Sequence, residues 1–223
     1  MVLERMPDAP LNHAAMVFNP RVVSRFADCG VTLLDSPSEV IGTVLAYLGF
    51  DPNSVNPQEL DAASEVLRAV RPYIKYFDST KMLLDLPSEE VCIAHSWSGD
   101  FSVAAKRAHD AGLDIEIGFN VPEDASLIWF DLVFIPADAS NVENAHLFLN
   151  YLLRPDVIAA VTNFTGYANA NAAATSLVDT SLASNLAVYP DEVIVGRSAV
   201  SLAHPPKIER LRSRLWTRIK AGL

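Results

Sequence analysis

The chain has 223 residues, half of them apolar, and its 27 acidic and 17 basic side chains give a formal net charge of −10. A chain of this length and composition can bury a substantial core as one domain or as two small ones, which excludes extended disorder. The negative charge argues against a nucleic-acid partner, because a phosphate backbone is neutralised by Lys and Arg, and it favours cationic ligands. On net charge alone, acidity that serves only solubility is the commoner explanation.

The apolar stretches and the N-terminal residues do not indicate a membrane protein. The stretches 40–50 and 127–137 are shorter than the roughly 18 residues that span a bilayer, and polar residues interrupt both. Residues 1–20 mix charged side chains with three prolines, which matches neither the basic nor the apolar part of a secretory signal. We therefore expect no membrane-spanning segment, and the N-terminus gives no prediction of export.

The spacing of apolar, capping and turn residues predicts strands that alternate with helices along the chain. An early strand over 31–34 leads through the capping box Ser36-Pro37-Ser38-Glu39 into a helix over 40–48. The aromatic stretch 73–77 receives no assignment, and the last helix carries an apolar stripe that should dock on the body of the protein. The other predicted helices are 20–29, 56–70, 81–86, 101–111, 141–153, 156–162 and 205–219, and the other predicted strands are 91–94, 115–121 and 126–135.

Two short clusters combine an aromatic ring with a carboxylate at the end of an apolar, strand-like run. These are Trp97-Ser-Gly-Asp100 and Trp129-Phe-Asp131. Carboxylates neutralise ammonium groups, and flat aromatic faces hold a methylene chain and attract its charged ends, so the combination suits an organic cation. Asp131 is the least easily explained, because a carboxylate inside the apolar stretch 127–134 is costly without a partner. A strand that crosses a cleft would expose it there.

The other candidate residues each have a plain structural explanation. Asp100 could cap the following helix, and Glu39 is the glutamate of the capping box. Trp97, Trp129 and Tyr167 could be ordinary core aromatics. Only the whole set favours a binding site.

A serine hydrolase is a second interpretation. The stretch 91–100 superficially resembles the nucleophile elbow of the α/β-hydrolases, with His95 before a nucleophilic Ser96, and with Asp131 and His204 following in the order of a triad. The strict motif requires glycines where this chain has alanine and serine, and no HGGG-type oxyanion-hole segment lies upstream. We therefore favour a binding protein over a serine hydrolase.

Metal and nucleotide sites have no support in the sequence. The five histidines show no spacing of four residues, Cys-x-x-Cys is absent, and no glycine-rich phosphate loop occurs. The sequence therefore predicts no metal and no cofactor. The histidines are His13, His95, His109, His146 and His204.

Cys29 and Cys92 are the only two cysteines. In an oxidising compartment a disulfide between them would stabilise the fold by about 4 kcal/mol in the chain-entropy model. Two unpaired buried cysteines that behave as small apolar residues are the alternative. The residues alone leave both possibilities open.

Several motifs together match one known family over nearly the whole chain. The chain resembles the periplasmic polyamine-binding proteins, which are the putrescine and spermidine receptors of ATP-driven importers. The motifs are CGVTLLDSPSE ending at Glu39, VCIAHSWSGD ending at Asp100, WFD ending at Asp131, IPAD ending at Asp138, FLNYLLRPD ending at Asp156, YANAN beginning at Tyr167, and the terminal RLWTRIKAG.

The resemblance implies an α/β fold of the type II periplasmic binding proteins, in which two lobes close on the ligand. It also implies a non-enzymatic periplasmic receptor that delivers putrescine or spermidine to the permease subunits of an ABC importer. By the same analogy Cys29 and Cys92 form a disulfide. In family members, acids bind the amines and aromatic rings flank the carbon chain at the positions that match Glu39, Trp97, Asp100, Trp129, Asp131 and Tyr167.

The chain also departs from the family pattern. A signal peptide and most of the first lobe have no counterpart in it, so we expect an incomplete chain in which 1–129 and 178–223 form the second lobe. We expect 130–177 to be the hinge strand and a remnant of the first lobe. Ser96 replaces a commoner glycine, and Trp129 stands where putrescine-type relatives often carry Phe and spermidine-type relatives Trp, so the preferred polyamine is not specified.

An incomplete cleft has two expected consequences. The strand through Asp131 and the helix over 141–153 should expose an apolar face that is prone to association. The chain alone should bind polyamines weakly or not at all, because charge pairs left in water contribute little. A partner-binding domain without ligand capture is a third interpretation.

Overall fold

The structure is a computed structural model that describes residues 2–223, except for the side chain of Leu3. Strands and helices alternate in it, which confirms the predicted α/β class. The strands are β1 (Val31–Leu33), β2 (Ile74–Phe77), β3 (Ile93–Ala94), β4 (Leu127–Ile128) and β5 (Ala199–Val200). The helices are α1 (Val2–Arg5), α2 (Ala15–Phe18), α3 (Pro20–Val23), α4 (Pro37–Tyr47), α5 (Pro57–Val70), α6 (Met82–Asp85), α7 (Ser98–Asp110), α8 (Val142–Leu152), α9 (Pro155–Thr165), α10 (Thr180–Ala183), α11 (Glu192–Arg197) and α12 (Pro206–Lys220). Short 3-10 helices lie at Ser24–Phe26, Arg71–Tyr73 and Ala172–Leu177.

The main sheet has three parallel strands in the order β2-β1-β3. Val31 of β1 is fully buried and lies opposite Ile74 on one side and Ile93 on the other. Helices α4 and α5 form the crossover between β1 and β2. Because all three strands run the same way, the segments that follow β1 and β3 leave the sheet at the same edge, where ligands bind in open α/β sheets.

The principal core lies around this sheet and includes residues from α2 to α5. The terminal helix α12 completes it, because Trp216 and Ile219 are buried there, as the apolar stripe predicted. Its anchoring is polar as well. Trp216 Nε1 donates to Asp35 Oδ1 at 2.7 Å, and the buried Arg212 donates to the carbonyls of Pro52 and Ser54, each at 3.1 Å.

A disulfide joins Cys29, in the loop before β1, to Cys92, which immediately precedes β3. Their Cα atoms are 5.6 Å apart, within the usual range for a disulfide. The pairing implied by the family resemblance is therefore confirmed. The bond links the starts of two neighbouring strands. Because 63 positions separate the two cysteines, it also closes a long loop and so lowers the conformational entropy of the unfolded chain.

A smaller apolar cluster lies outside the main core. Ala159 of α9 packs there against Ala174 of the last 3-10 helix and against Val178, and Tyr189 lies on its border. The side chain of Asn171 caps that 3-10 helix and also donates to the Leu153 carbonyl at 2.8 Å. The segment after α8 is therefore held together by short-range contacts.

Two strand predictions from the sequence are wrong, and one strand of the structure has no predicted counterpart. The aromatic stretch 73–77, which received no assignment, contains β2. Only Ile74 of this strand is buried, so the sequence shows no alternation of apolar and polar residues there. The predicted strand 115–121 has no regular structure, and the predicted strand 126–135 is reduced to the two residues of β4. Strands require a hydrogen-bonded partner, and β4 pairs in the described residues only with the equally short β5.

The apolar face expected to remain exposed is present. Phe130, Leu132, Val133 and Phe134 each expose between 65% and 79% of their surface, and α8 has no buried residue. Phe164 of α9 is 87% exposed. Within residues 2–223, no helix combines the length and the apolar character needed to cross a membrane.

Candidate functional site

Two helices begin at the carboxyl edge of the main sheet, and each places a carboxylate in its first turn. Chain leaving β1 enters α4, whose third residue is Glu39, and chain leaving β3 enters α7, whose third residue is Asp100. The N-terminal turn of a helix favours negative charge, because its free N–H groups point towards it. The hydroxyl of Ser36 makes no capping bond to α4, so the capping-box explanation for Glu39 is incomplete.

Tyr167 is brought to Asp100 by close packing between α9 and α7. The phenol donates to Asp100 Oδ1 at 3.1 Å. The tyrosine ring lies directly on Gly99, where a Cβ would overlap the ring. Gly166 ends α9 in the left-handed conformation, with φ of 76°, and a Cβ there would lie 2.7 Å from Ser102 Cβ. The two glycines therefore allow the approach that joins tyrosine and carboxylate.

The third carboxylate, Asp131, follows β4 and reaches the same region. The strand packs on α4, because a Cβ on Gly42 would lie 3.2 Å from Leu127 Cδ1, and Gly42 stands one turn beyond Glu39. The charge of Asp131 acts on both Glu39 and Tyr167. Within residues 2–223 no ion pair joins Glu39, Asp100 or Asp131 to a basic side chain.

Burial raises the pKa of the Glu39 carboxyl, and the nearby Asp131 charge raises it further. The Ser36 hydroxyl and the Trp97 indole act in the opposite direction. Burial remains the largest effect, and Glu39 Oε2 and Trp97 Nε1 are both buried without a hydrogen-bond partner of good geometry. A buried polar atom without a partner is costly, so these two atoms are available to a ligand or to water.

The other two groups of the cluster are also shifted. Burial raises the pKa of Asp100, and the hydrogen bond from Tyr167 only partly opposes that shift. The pKa of Tyr167 is raised first by burial, then by Asp100, and further by the charges of Asp131 and Glu39. The tyrosine stays protonated and can donate, while the three carboxylates together lack a counter-charge.

Trp129 lies directly after β4, two residues before Asp131, with 37% of its surface exposed. Its position in the chain puts it at the edge of the cluster. Trp97 stands at the N-cap of α7, where its backbone is extended. The structure thus brings together Glu39, Trp97, Asp100, Asp131 and Tyr167. Trp129 is included in the candidate site only because it is two residues from Asp131 in the sequence.

The geometry does not support the hydrolase. Ser96 Oγ donates to the Trp97 carbonyl at 3.0 Å, and in the described chain no hydrogen bond joins it to a histidine. Burial lowers the pKa of His95 to about 4, its Nδ1 has no partner, and its ring meets Phe18 edge-on. Nothing orients or charges this imidazole as a base for Ser96.

Metal-ligating side chains do not gather in groups of three or more anywhere in residues 2–223. The three carboxylates at the sheet edge are therefore not arranged as a metal centre. Carboxylates that lie beside the rings of Tyr167 and Trp97 suit a ligand that carries positive charges on a carbon chain.

Gly99, Gly166 and Ser102 were not identified as site residues from the sequence. Gly166 carried a usable signal, because a glycine after a predicted helix is typical of a left-handed C-cap. Gly99 carried none, since its role depends on a ring that lies 68 positions further along the chain.

Residues 21–187 match the family described as bacterial extracellular solute-binding protein. The chain belongs to this family. It is similar to the putrescine-binding periplasmic protein of Escherichia coli, with 39% identity over 216 residues, which are 96% of this chain and 58% of that protein. A putrescine-binding periplasmic protein of Pseudomonas aeruginosa is 38% identical over 215 residues, with 96% and 59% covered.

The fold is similar to that of solved family members. A spermidine/putrescine ABC transporter structure from Listeria monocytogenes superimposes with a TM-score of 0.81 at 26% identity, covering 98% of this chain and 64% of that one. This match confirms that the chain has the α/β fold of solute-binding proteins and that it corresponds to part of the solved structure. The chain spans about three fifths of the curated relatives it matches. The family consists of solute-binding proteins rather than enzymes, which confirms the non-enzymatic interpretation.

Proposed function

We propose that the chain is the polyamine-binding part of a periplasmic solute receptor that delivers putrescine or spermidine to the permease subunits of an ABC importer. The observation that carries the proposal is the convergence of Glu39, Asp100 and Asp131 at one sheet edge without a basic partner in the described residues. The named ligands of the relatives from Escherichia coli and Pseudomonas aeruginosa support the same class of ligand.

The chemistry of the cluster fits a linear diamine or triamine. Each ammonium group donates up to three hydrogen bonds and carries the charge that the carboxylates lack. Asp100 is oriented by Tyr167, which occupies Oδ1 and leaves Oδ2 for the ligand. Trp97 and Trp129 offer flat faces for the methylene groups and for cation–π contact.

Glu39 and Asp100 are half-buried, which makes them effective partners for a cation. An ammonium group that binds there favours the charged form of each carboxyl and reverses the rise in pKa that burial causes. The unpartnered Oε2 of Glu39 gains a donor at the same time. Binding therefore removes two unfavourable features of the unliganded site.

We also infer the division of the chain that the sequence predicted. Residues 1–129 and 178–223 form the second lobe, and 130–177 form the hinge strand and part of the first lobe. The apolar cluster around Ala159 and Ala174 is separate from the main core, which supports a distinct unit there, but it also includes Val178 from the segment assigned to the second lobe. The exposed face of 130–134 and α8 is consistent with a surface that is covered in the two-lobed receptor.

The test has to detect weak binding, because one wall of the cleft is open to water. Putrescine and spermidine are titrated into the chain labelled on its tryptophan indoles and followed by NMR. We expect saturable shifts of Trp97 and Trp129, loss of these shifts in Asp131→Asn, and no effect of Asp138→Asn, which exchanges a carboxylate outside the cluster. Equal saturable shifts in the parent chain and in Asp131→Asn contradict the proposal. If the chain alone shows no saturable shift, the fusion described next decides.

A second arm supplies the part of the relative that the chain does not match. The chain is fused to that part of the Escherichia coli relative, and calorimetry measures polyamine affinity. We expect the fusion to bind much more tightly than the chain alone, and Asp131→Asn to abolish the gain. A folded fusion without polyamine binding would instead favour a partner-binding domain without ligand capture. Submicromolar affinity of the chain alone contradicts the expected contribution of the first lobe.

A further inference from the structure

A cavity lies away from the polyamine cluster and contains none of its six residues. Its volume is about 290 Å³, close to the lower end of the roughly 300–1,000 Å³ typical of small-molecule sites, and it is open to solvent. Three parts of the chain line it: Asn12 before α2, the extended segment 119–123, and the C-terminal segment 186–197 that includes α11.

Hydrogen bonds fix the walls of this cavity. The Glu123 N–H donates to the Asn12 carbonyl at 2.7 Å, and Arg197 Nη2 donates to the Val121 carbonyl at 3.2 Å. One residue further, Asp124 Oδ1 accepts from the Ala14 N–H at 2.8 Å. The extended segment is therefore tied to both of its neighbours although it belongs to no sheet.

One wall of the cavity is aromatic and supported from behind. The ring of Phe119 stacks on Phe101 of α7, with 5.2 Å between ring centroids and 23° between planes. Leu186 adds an aliphatic surface. A stacked ring is a firm apolar surface on which a short methylene chain can lie.

The charges of the cavity are opposite and unpaired. Glu123 and Arg197 both line it, yet no ion pair joins them, and neither has an ion-pair partner elsewhere in residues 2–223. Arg197 uses one nitrogen on the Val121 carbonyl, which orients the guanidinium and leaves its other donors free. Glu123 and Arg197 are both exposed, only the Arg197 guanidinium is oriented by a hydrogen bond, and two opposite charges that line one cavity match a ligand that carries both charges itself.

We propose that this cavity binds a small zwitterion of the amino-acid type. Its ammonium group pairs with Glu123, its carboxylate pairs with Arg197, and its methylene groups lie along Phe119. The amides of Asn12 and Asn120 supply further hydrogen bonds. A dication such as putrescine is rejected by Arg197, and a simple carboxylate by Glu123, so the selectivity of this cavity is the reverse of that of the polyamine cluster.

The test uses zwitterions that differ only in the separation of their charges. Glycine, γ-aminobutyrate and ε-aminocaproate are titrated into the full chain by calorimetry, with butyrate and putrescine as ligands of a single charge type. We expect one zwitterion to bind saturably and at least about tenfold more tightly than butyrate. Absence of saturable binding by all three zwitterions overturns the proposal.

Matched variants locate the binding. We expect Glu123→Gln and Arg197→Gln each to weaken the chosen zwitterion about tenfold, whereas Glu116→Gln and Arg210→Gln, which alter exposed charges outside the cavity, leave it unchanged. Unchanged thermal melting of all four variants shows that folding is retained. Binding that survives both cavity variants, or that is lost in Asp100→Asn, overturns the proposal and leaves the polyamine assignment untouched.

Discussion

The phenol of Tyr167 and the carboxylate of Asp100 are joined by a hydrogen bond of 3.1 Å across 67 positions of sequence. Tyr167 follows the last turn of α9, and Asp100 lies in the first turn of α7. The bond therefore connects the segment after α8 to the main α/β body at the proposed polyamine site. Polyamine affinity should depend on it through the orientation of Asp100.

Tyr167→Phe removes the donor and keeps the ring on Gly99. We expect polyamine affinity to fall about tenfold, because a hydrogen bond to a charged group contributes roughly 1.5–3 kcal/mol and part of that loss is replaced by water. Calorimetry or NMR titration measures the change. Tyr151→Phe, which removes an exposed hydroxyl on α8, is the control. Equal affinities of the two variants would remove Tyr167 from the binding site.

Gly99→Ala should disturb the site more than the addition of one methyl group suggests. The new Cβ would overlap the Tyr167 ring, so the ring or the start of α7 has to move, at a cost of roughly 1–3 kcal/mol in unfolding free energy. Polyamine affinity should fall as well. Gly196→Ala on α11 meets no atom within 4 Å and should be neutral or slightly stabilising. Urea unfolding of both variants tests this contrast.

The pH dependence of stability should reveal Glu39. Its pKa is raised in the folded chain, so between the unfolded value of about 4.3 and the raised value the folded state binds more protons. The unfolding free energy contributed by Glu39 therefore decreases as the pH rises through that window. Glu39→Gln should not show this pH dependence. At neutral pH its unfolding free energy should exceed that of the parent protein, and the difference should vanish at pH values below the window.

Urea unfolding at a series of pH values measures that difference. Glu116→Gln, at an exposed position, should track the parent protein at every pH. Parallel pH profiles for the parent and Glu39→Gln would show that the Glu39 carboxyl is not destabilised by burial. In the polyamine complex the profile should reverse, because protonation of Glu39 and Asp100 removes the partners of the ammonium groups.

The disulfide should account for a large part of the stability. Replacing both cysteines, Cys29→Ser with Cys92→Ser, should lower the unfolding free energy by about 4 kcal/mol in the chain-entropy model. A reducing agent should destabilise the parent protein similarly and leave the double variant unchanged. A further loss on reduction of the double variant would mean that the reagent acts by another route.

The exposed apolar face should cause self-association. Leu147 and Phe148 of α8 are 66% and 56% exposed, and residues 130–134 extend the same apolar character. Sedimentation velocity should show association that rises with concentration and falls in Leu147→Glu with Phe148→Glu. Leu84→Glu on α6, at a position that is 64% exposed and lies outside this face, should leave it unchanged.

The helices were predictable because their signals are local. Asn56 caps α5 through its side chain, with proline at the first helical position, and the apolar spacing of α12 predicted the docking that Trp216 and Ile219 show. The start of α7 was placed three residues too late, because Ser98 and Gly99 carry no apolar signal. Weak signals at the end of a helix shift its predicted boundary but do not change the prediction that a helix forms.

The strands were less predictable because pairing is a long-range property. Ile74 belongs to a strand whose other residues are only partly buried, and nothing in its neighbourhood shows that β1 lies beside it. The run from Ser126 to Ile135 has strand-like composition throughout, yet it pairs only where Ala199 and Val200 meet it. Composition signals a strand, whereas a partner decides whether one forms.

By itself, the amino-acid sequence determined the α/β class, most of the helices, the family and the residue types of the candidate site, because periodicity, capping and motifs are properties of neighbouring residues. Only the tertiary structure decided that Glu39, Asp100, Asp131 and Tyr167 meet at one sheet edge without a basic partner in the described residues, and that Ser96 meets no histidine. Such relationships depend on parallel strands leaving the sheet at a common edge and on a tyrosine ring packed against Gly99. These contacts form between segments that are far apart in the sequence, so patterns among neighbouring residues cannot predict them.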